Sequence, residues 1–330
     1  MKIYFIEKSI EFSGNDLHKP NLGGSEKTLI NISTEVAKYE NFEVKVFNLA
    51  NKKEVINNVE WNNLNNCNLY KTPDYLIAMS DVNLLNYFDC TNNFLWSHSV
   101  QSFEKFIRKK QLLSFLKKKP KLILEGEYHY KTRSFITSFY GKKKLPIAAD
   151  NDFIESPVDL LKIPMPKAIF TTRSDRNLEF LLNCWTEIKH HSNDAFLIIN
   201  PPYNLSKDHI NLKINLRKKS NKLDLINELS SSRVMLNPGH KGEVFCLAAE
   251  EALRMCVPIV TMGHGALKER VVHNVNGFIA NSKKEFIDYA IKILNDDDLY
   301  LNLKKKMYNL RHERTYKDVA KNFISIIKTS

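Results

Sequence analysis

The stretch that decides the reading is Met235–Ala280, MLNPGHKGEVFCLAAEEALRMCVPIVTMGHGALKERVVHNVNGFIA. A short apolar run ends at Pro238-Gly239, the loop His240-Lys241-Gly242 follows, and the spacing predicts a helix over Val244–Met255 beginning near Glu243. Strands are expected at Pro258–Thr261 and Gly277–Ala280, with a short helix near Ala266–Val271 between them. A helix N-terminus offers unpaired N–H groups and partial positive charge, which suit a phosphate. On one continuous helix, Glu243 and Glu251 stand roughly 12 Å apart along the axis and about 80° apart around it. Two carboxylates so placed can each accept hydrogen bonds from vicinal hydroxyls, at a span matching the sugar and the ribose of a nucleotide sugar. Glu250, about 100° from Glu251, is expected on the solvated face.

Strand–helix alternation continues on both sides. Upstream, strands are predicted at Lys167–Thr171, Ala195–Ile199, Lys213–Leu216 and Val234–Asn237, with helices over Arg176–His190 and Leu223–Ser230. Downstream, three helical stretches cover Lys283–Asn295, Leu299–Arg314 and Tyr316–Lys328. In the N-terminal part, strands are predicted at Lys2–Ile6, Glu43–Phe47, Tyr75–Met79, Phe94–Trp96, Leu122–Leu124 and Leu145–Ala148. Helices are predicted over Ser25–Tyr39, Gln101–Leu116 and His129–Phe139, while Asn51–Asn68 is polar, aperiodic and stays unplaced. Asp150–Pro166, with three prolines and no sustained period, suits a linker. The pattern is α/β, two Rossmann-like parallel-sheet domains: 1–150, a linker over 151–166, then 167–315, with 316–330 a closing helix.

Composition narrows the classes. Seven of the ten glycines are Gly23, Gly24, Gly239, Gly242, Gly263, Gly265 and Gly277, so a scarce residue gathers at a few turns. Five scattered cysteines without a CxxC pair read as reduced thiols, neither a disulfide framework nor a zinc site. Asp296-Asp297-Asp298 lies between two helical patterns and reads as a stop and cap, and no metal site is expected. No apolar run reaches transmembrane length, and the N-terminal one is too short for a signal peptide, so the expectation is a soluble cytoplasmic protein. The formal charge is +12, and residues 101–146 hold 13 Lys or Arg against 3 Glu, a net of +10. Apolar side chains from Phe103 to Leu116 interleave with those charges. A face peripheral to an anionic membrane and a merely solvated helix face both fit. Nucleic acid is disfavoured, because no recognition motif accompanies the charge.

Together, Glu243, Glu251, Pro258-Ile259-Val260 and Gly263-His264-Gly265 resemble the donor-binding core of the family-4 retaining glycosyltransferases of the GT-B fold. The resemblance implies two Rossmann-like domains facing across a cleft, with the last helix returning to the N-terminal domain. It implies that Glu243 holds the donor-sugar hydroxyls, Glu251 the ribose, and the amides of Phe245, Cys246 and Leu247 the sugar and phosphates. Thr171–Leu178 resembles the segment whose two cations clamp the diphosphate, here Arg173 and Arg176; an exposed turn with incidental arginines is the other reading. Asn21-Leu22-Gly23-Gly24 resembles the family's Gly-Gly loop, which approaches the diphosphate and acceptor, and His98 falls where members place a histidine near the reacting centre.

The implied reaction moves a sugar from a nucleotide diphosphate sugar to a lipid, polysaccharide or glycan hydroxyl with retention, without cofactor or metal. This chain departs from the pattern at Asn177, Cys246 and Val257, where the family has glycine. Those departures bear on donor choice. They also leave room for a catalytically idle nucleotide-sugar-binding or partner module, and a sugar-nucleotide epimerase is a further alternative.

Overall fold

The computed structural model describes residues 1–19, 22–218 and 221–329. It divides into two units, Met1–Ile147 with Tyr316–Ser330, and Ala148–Thr315. In the first, the chain runs β1 (Lys2–Ile6), α1 (Gly24–Val36), β2 (Glu43–Asn48), β3 (Glu54–Ile56), β4 (Val59–Asn63) and β5 (Tyr75–Met79). It continues through β6 (Asn93–Trp96), α2 (Phe103–Arg108), α3 (Leu112–Lys118), β7 (Lys121–Leu124), α4 (Glu127–Thr132) and β8 (Lys142–Lys144). The sheet order is β3-β4-β2-β1-β5-β6-β7-β8, parallel throughout except for the β3–β4 pair. Side chains alternate across it: Tyr4 and Ile6 join Phe47, Leu76, Leu95 and Leu122 in one core, and Phe5 and Trp96 face the other way.

The second unit runs α5 (Asn151–Glu155), β9 (Lys167–Phe170), α6 (Leu178–His191), β10 (Phe196–Ile199), α7 (Lys207–Asn211), β11 (Ile214–Leu216) and α8 (Lys222–Ser230). After these come β12 (Val234–Leu236), α9 (Leu247–Arg254), β13 (Ile259–Thr261), α10 (Leu267–Arg270), β14 (Gly277–Ile279), α11 (Lys283–Asn295) and α12 (Asp297–Leu310). Its all-parallel sheet, β11-β10-β9-β12-β13-β14, reverses direction of growth between β9 and β12. Open α/β sheets bind ligands beyond the carboxyl ends of strands at such a reversal. Phe170, Leu236 and Val260 pack into a core with residues of α6, α11 and α12. Ile169, Met235 and Ile259 pack into another with residues of α8, α9 and α10.

The closing helix, α13 (Tyr316–Lys328), belongs to the first unit. It buries Tyr316, Val319, Ala320, Phe323 and Ile327, one stripe at helical spacing. Phe323 stacks on Phe5 at 5.6 Å and on Trp96 at 5.8 Å between ring centroids. Thus the outward face of the β1 and β6 strands is covered by the last residues of the chain.

Four local expectations change in the first unit. The unplaced stretch 51–68 holds a hairpin, β3–β4, turned by Asn57 and Asn58 at φ of 50° and 62°. Two asparagines tolerate the left-handed turn where glycine is usual, which hid the signal. The helix expected over 101–116 is two, with Lys110 at φ 52° between them. Phe106 and Phe115, nine residues apart, point about 180° apart on a straight helix; the break lets their rings meet at 5.4 Å. The helix expected over 129–139 is α4 followed by a 3-10 turn at Ile136–Ser138. The strand lies at Lys142–Lys144 rather than Leu145–Ala148, because its partner β7 ends at Leu124. No helix among the described residues is long and apolar enough to cross a membrane.

Candidate functional site

The segments following β9 and β12, the two strands at the reversal, carry the residues singled out in the second unit. After β9, Arg173 is exposed and grips Asp175 through both Nε, at 3.0 Å, and Nη2, at 2.5 Å. Burial alone pushes the Asp175 carboxyl up, but the Arg173 guanidinium outweighs it and holds the group below its ordinary range. Arg176 is more enclosed, and its Nη1 donates to His240 Nδ1 at 2.8 Å. The amide of Gly242 donates to the same nitrogen at 3.0 Å. With Nδ1 accepting twice, the ring proton sits on Nε2. A Cβ on Gly242 would lie 2.7 Å from Arg176 Nη1, so the missing side chain is what admits the guanidinium. His240 escaped the sequence analysis; its only signal was its place in a Pro-Gly-His-Lys-Gly loop.

Glu243 stands in the loop before α9, not in the helix. The axial spacing to Glu251 computed for one continuous helix therefore does not apply. The reason is Cys246, the N-cap, at φ 65° and ψ 73°: the chain turns left-handed there and the helix starts at Leu247. The Glu243 amide donates to His240 O at 3.0 Å, and its carbonyl accepts from Ala266 at 2.9 Å. That carbonyl is four residues back from Leu247, at the orphan-donor end of α9. Gly265, at φ 67°, makes this crossing possible, since a Cβ would strike His240 O at 2.2 Å.

The Glu243 side chain is largely enclosed. Burial raises its pKa, against the lowering effect of a hydrogen bond from the Cys246 thiol and the charge of Arg176. Its Oε2 is shielded and has no hydrogen-bond partner among the described residues. A buried carboxylate oxygen left open in this way is suited to a hydroxyl donor.

Around α9, Glu251 is buried. Glu250, expected in solvent, is only 2% exposed and pairs with Arg254 at 2.5 Å and Arg270 at 3.5 Å. Burial pushes its carboxyl up, but the two guanidiniums prevail and keep it ionised below the usual range. Arg270 also lies over the Phe245 ring, 4.1 Å from its centroid. Phe245 and Cys246 are buried side chains whose amides, with that of Leu247, precede or open α9. Asn177 and Cys246 both adopt left-handed backbone, at φ 62° and 65°, and the Asn177 side chain donates from Nδ2 to Gly239 O. Val257 does not; the left-handed residue is Cys256, one position earlier.

In the first unit, Asn21 lies outside the described residues. Gly23 caps α1, and the space where its Cβ would stand is taken by Glu26 Oε2 at 2.4 Å. Glu26 is buried and accepts from Ser9 Oγ at 2.5 Å and Ser25 Oγ at 3.0 Å. The close approach at this glycine is therefore made by the chain's own carboxylate. His98 lies just past β6, its Nδ1 2.5 Å from Oε1 of Glu125, a residue the sequence analysis did not select. Asp296 caps α12 by accepting from the Leu299 amide at 2.9 Å.

Residues 201–310 match the sequence profile of the family described as glycosyl transferases group 1. A search of curated proteins finds no match. Among solved structures, the chain is similar to WaaG, described as a glycosyltransferase involved in lipopolysaccharide biosynthesis, with TM-score 0.71, 12% identity and 100% of both chains covered. It is similar to Anabaena Alr3699/HepE in complex with UDP and glucose, at TM-score 0.70, 15% identity and 100% of both chains. Sucrose-phosphate synthase from Thermosynechococcus elongatus aligns at TM-score 0.75 and 14% identity over 99% of this chain and 98% of that one. The fold of the chain is GT-B, as the Met235–Ala280 pattern implied.

Proposed function

We propose that the chain is a retaining glycosyltransferase, moving a sugar from a nucleotide diphosphate sugar to an acceptor hydroxyl. The observation that carries this reading is the arrangement beyond β9 and β12, where the Arg176 guanidinium, from the first segment, is held by His240 of the loop that also carries an enclosed carboxylate oxygen open to a hydroxyl, Glu243 Oε2. The profile match over residues 201–310 and the UDP-bound neighbour agree with it. In this reading Glu243 binds donor-sugar hydroxyls, Glu251 the ribose, and the amides of Phe245, Cys246 and Leu247 the phosphates. Arg173 and Arg176 offset the charge that grows on the departing diphosphate, a task a divalent cation performs in other enzymes. Transfer then needs no metal. His98 contacts a substrate hydroxyl.

The test is to incubate the purified chain with UDP-, GDP- and ADP-sugars and a mixed set of acceptors. Sugar transfer with retained anomeric configuration, insensitive to EDTA, is the expected result. Binding by calorimetry without turnover points instead to an idle module, and interconversion of donors without acceptor to an epimerase. No binding to any donor sinks the reading.

For the acceptor side we propose an anionic membrane surface. Within 101–146, Ile107, Leu113, Leu116, Phe135 and Phe139 are 50–81% exposed amid the cluster of lysines and arginines. Such a surface combines apolar insertion with charge attraction. Flotation with vesicles containing anionic lipid, but not with neutral ones, is expected, and equal recovery from both removes the proposal.

A further inference from the structure

We propose that Glu125 is a positioning residue: it fixes the ring of His98 with the proton on Nδ1 and so presents a bare Nε2 to a substrate hydroxyl. The role of His98 rests on the glycosyl-transfer reading, whereas the role of Glu125 on the ring can be read without any reaction. Neighbouring parallel strands set the pair up. Trp96 of β6 registers with Ile123 of β7, and the Ser97 amide extends the ladder to Ile123 O at 3.0 Å. Two residues past the end of β6 lies His98, and one past the end of β7 lies Glu125, so both arrive at the same carboxyl edge of the sheet.

Glu125 is 3% exposed, and its Oε1 sits 2.5 Å from His98 Nδ1. An ionised carboxylate only accepts, so in the neutral ring the proton at this contact belongs to Nδ1 and the lone pair to Nε2. The ring plane is fixed as well, stacked on Trp96 at 5.8 Å and 18°.

The backbone that carries Glu125 is itself held by a second histidine. The Glu125 amide donates to His129 Nδ1 at 3.3 Å, and His129 Nε2 then donates to Ser99 O at 3.0 Å. His129 is fully buried, and burial pushes its pKa down to about 4, so it serves as an uncharged bolt joining the loop after β7 to the loop after β6. Lys105 bonds Ser99 Oγ at 2.5 Å and braces the same loop. These contacts fix position, but they leave Trp96 Nε1, Gln101 Oε1 and one atom of the His98 ring without a partner among the described residues. His98 Nε2 is shielded and has no partner among the described residues. Buried nitrogens are rarely left unpaired without a reason, and a bare imidazole nitrogen is complementary to an O–H donor such as a sugar or polyol hydroxyl.

The experiment uses the full chain labelled with 15N-histidine, with the His98 signals assigned by their loss in His98→Gln. Long-range 1H–15N spectra at pH 8.5 (roughly two units above an ordinary imidazole pKa) are expected to show the proton on Nδ1 and a bare Nε2. A proton on Nε2 in the wild-type protein overturns the proposal, whether or not any donor is turned over. Glu125→Leu is expected to move the proton to Nε2 and lower kcat about tenfold or more, with KM for the donor changed less than about twofold. Glu125→Gln keeps an oxygen acceptor, so it is expected to keep the Nδ1 proton and hold kcat within about threefold of wild type. Equal loss in both variants with the ring unchanged assigns Glu125 an effect of charge and rejects positioning. If the wild type proves inactive on every donor, the glycosyl-transfer reading fails and the spectra still decide the role of Glu125.

Discussion

The first strand of each sheet ends at the same topological place, yet the two ends carry opposite charge. Beyond β9 the second unit places Arg173 and Arg176, with Gly242 leaving room for the Arg176 guanidinium. Beyond β1 the first unit places Glu7 and, across Gly23, Glu26. Burial raises the Glu7 pKa, its hydrogen bonds to Ser9 oppose the rise, and the nearby Glu26 charge adds to it. One parallel-sheet plan thus carries two guanidiniums beyond β9 and two carboxylates beyond β1, one of which fills the space beside Gly23. In both places glycine matters because a neighbouring charged side chain needs the space of the missing Cβ. The sign of the charge decides what the end can hold.

Four variants probe that contrast. Phe323→Ala removes the ring stacked on Phe5 and Trp96 behind the acidic end. It is expected to cost about 3–5 kcal/mol in denaturant unfolding of the first unit, while hydrogen exchange in β9–β14 stays unchanged; equal loss in both units would merge them into one cooperative body.

Glu243→Gln is expected to lower turnover roughly 10²–10³-fold. Its stability should move the other way. Burial raises the Glu243 pKa over that in the unfolded chain, so the ionised group opposes folding at neutral pH and the opposition fades as pH falls and the acid protonates in both states. The variant should therefore melt above wild type at pH 7, with the gap closing toward the ordinary carboxyl range. Thermal melts across pH check this, and a gap that widens in acid contradicts it.

Gly242→Ala puts a methyl group 2.7 Å from Arg176 Nη1. A rise of about tenfold in KM for the donor, with little change in melting temperature, is expected from the displaced cation. The smallest effect belongs to Gly23→Ala, which displaces Glu26 instead. It should cost about 1 kcal/mol through the weakened helix start and leave donor KM unchanged. A donor KM shift as large as that of Gly242→Ala would place Gly23 in the donor site, as its resemblance to the family's Gly-Gly loop implies.

The strand–helix alternation from Lys167 to Ala280 was legible because buried parallel strands read as short apolar runs between amphipathic helices. Arg173, Arg176 and Glu243 were picked out by the resemblance of Thr171–Leu178 and Met235–Ala280 to a family pattern, and the structure places all three in the segments that follow β9 and β12. Glu250 was misplaced because periodicity tells which residues share a face, not what lies opposite; Arg254 and Arg270 bury it in ion pairs. The start of α9 was misplaced because Cys246 gives no local signal for a left-handed backbone. Glu125 was invisible beside His98, 27 residues away in sequence, since only the β6–β7 register brings them together.

By itself, the order of apolar and polar residues determined two parallel sheets and which strand ends carry charge, because burial periodicity and strand-end loops are local properties of the chain. The tertiary structure alone decided which charges are held, paired or left open. It directed Arg176 onto His240, closed Glu26 over Gly23 and left Oε2 of Glu243 and Nε2 of His98 without a partner among the described residues. Those outcomes depend on register, packing and desolvation between residues distant in sequence, where a hydrogen bond is made or lost over fractions of an ångström.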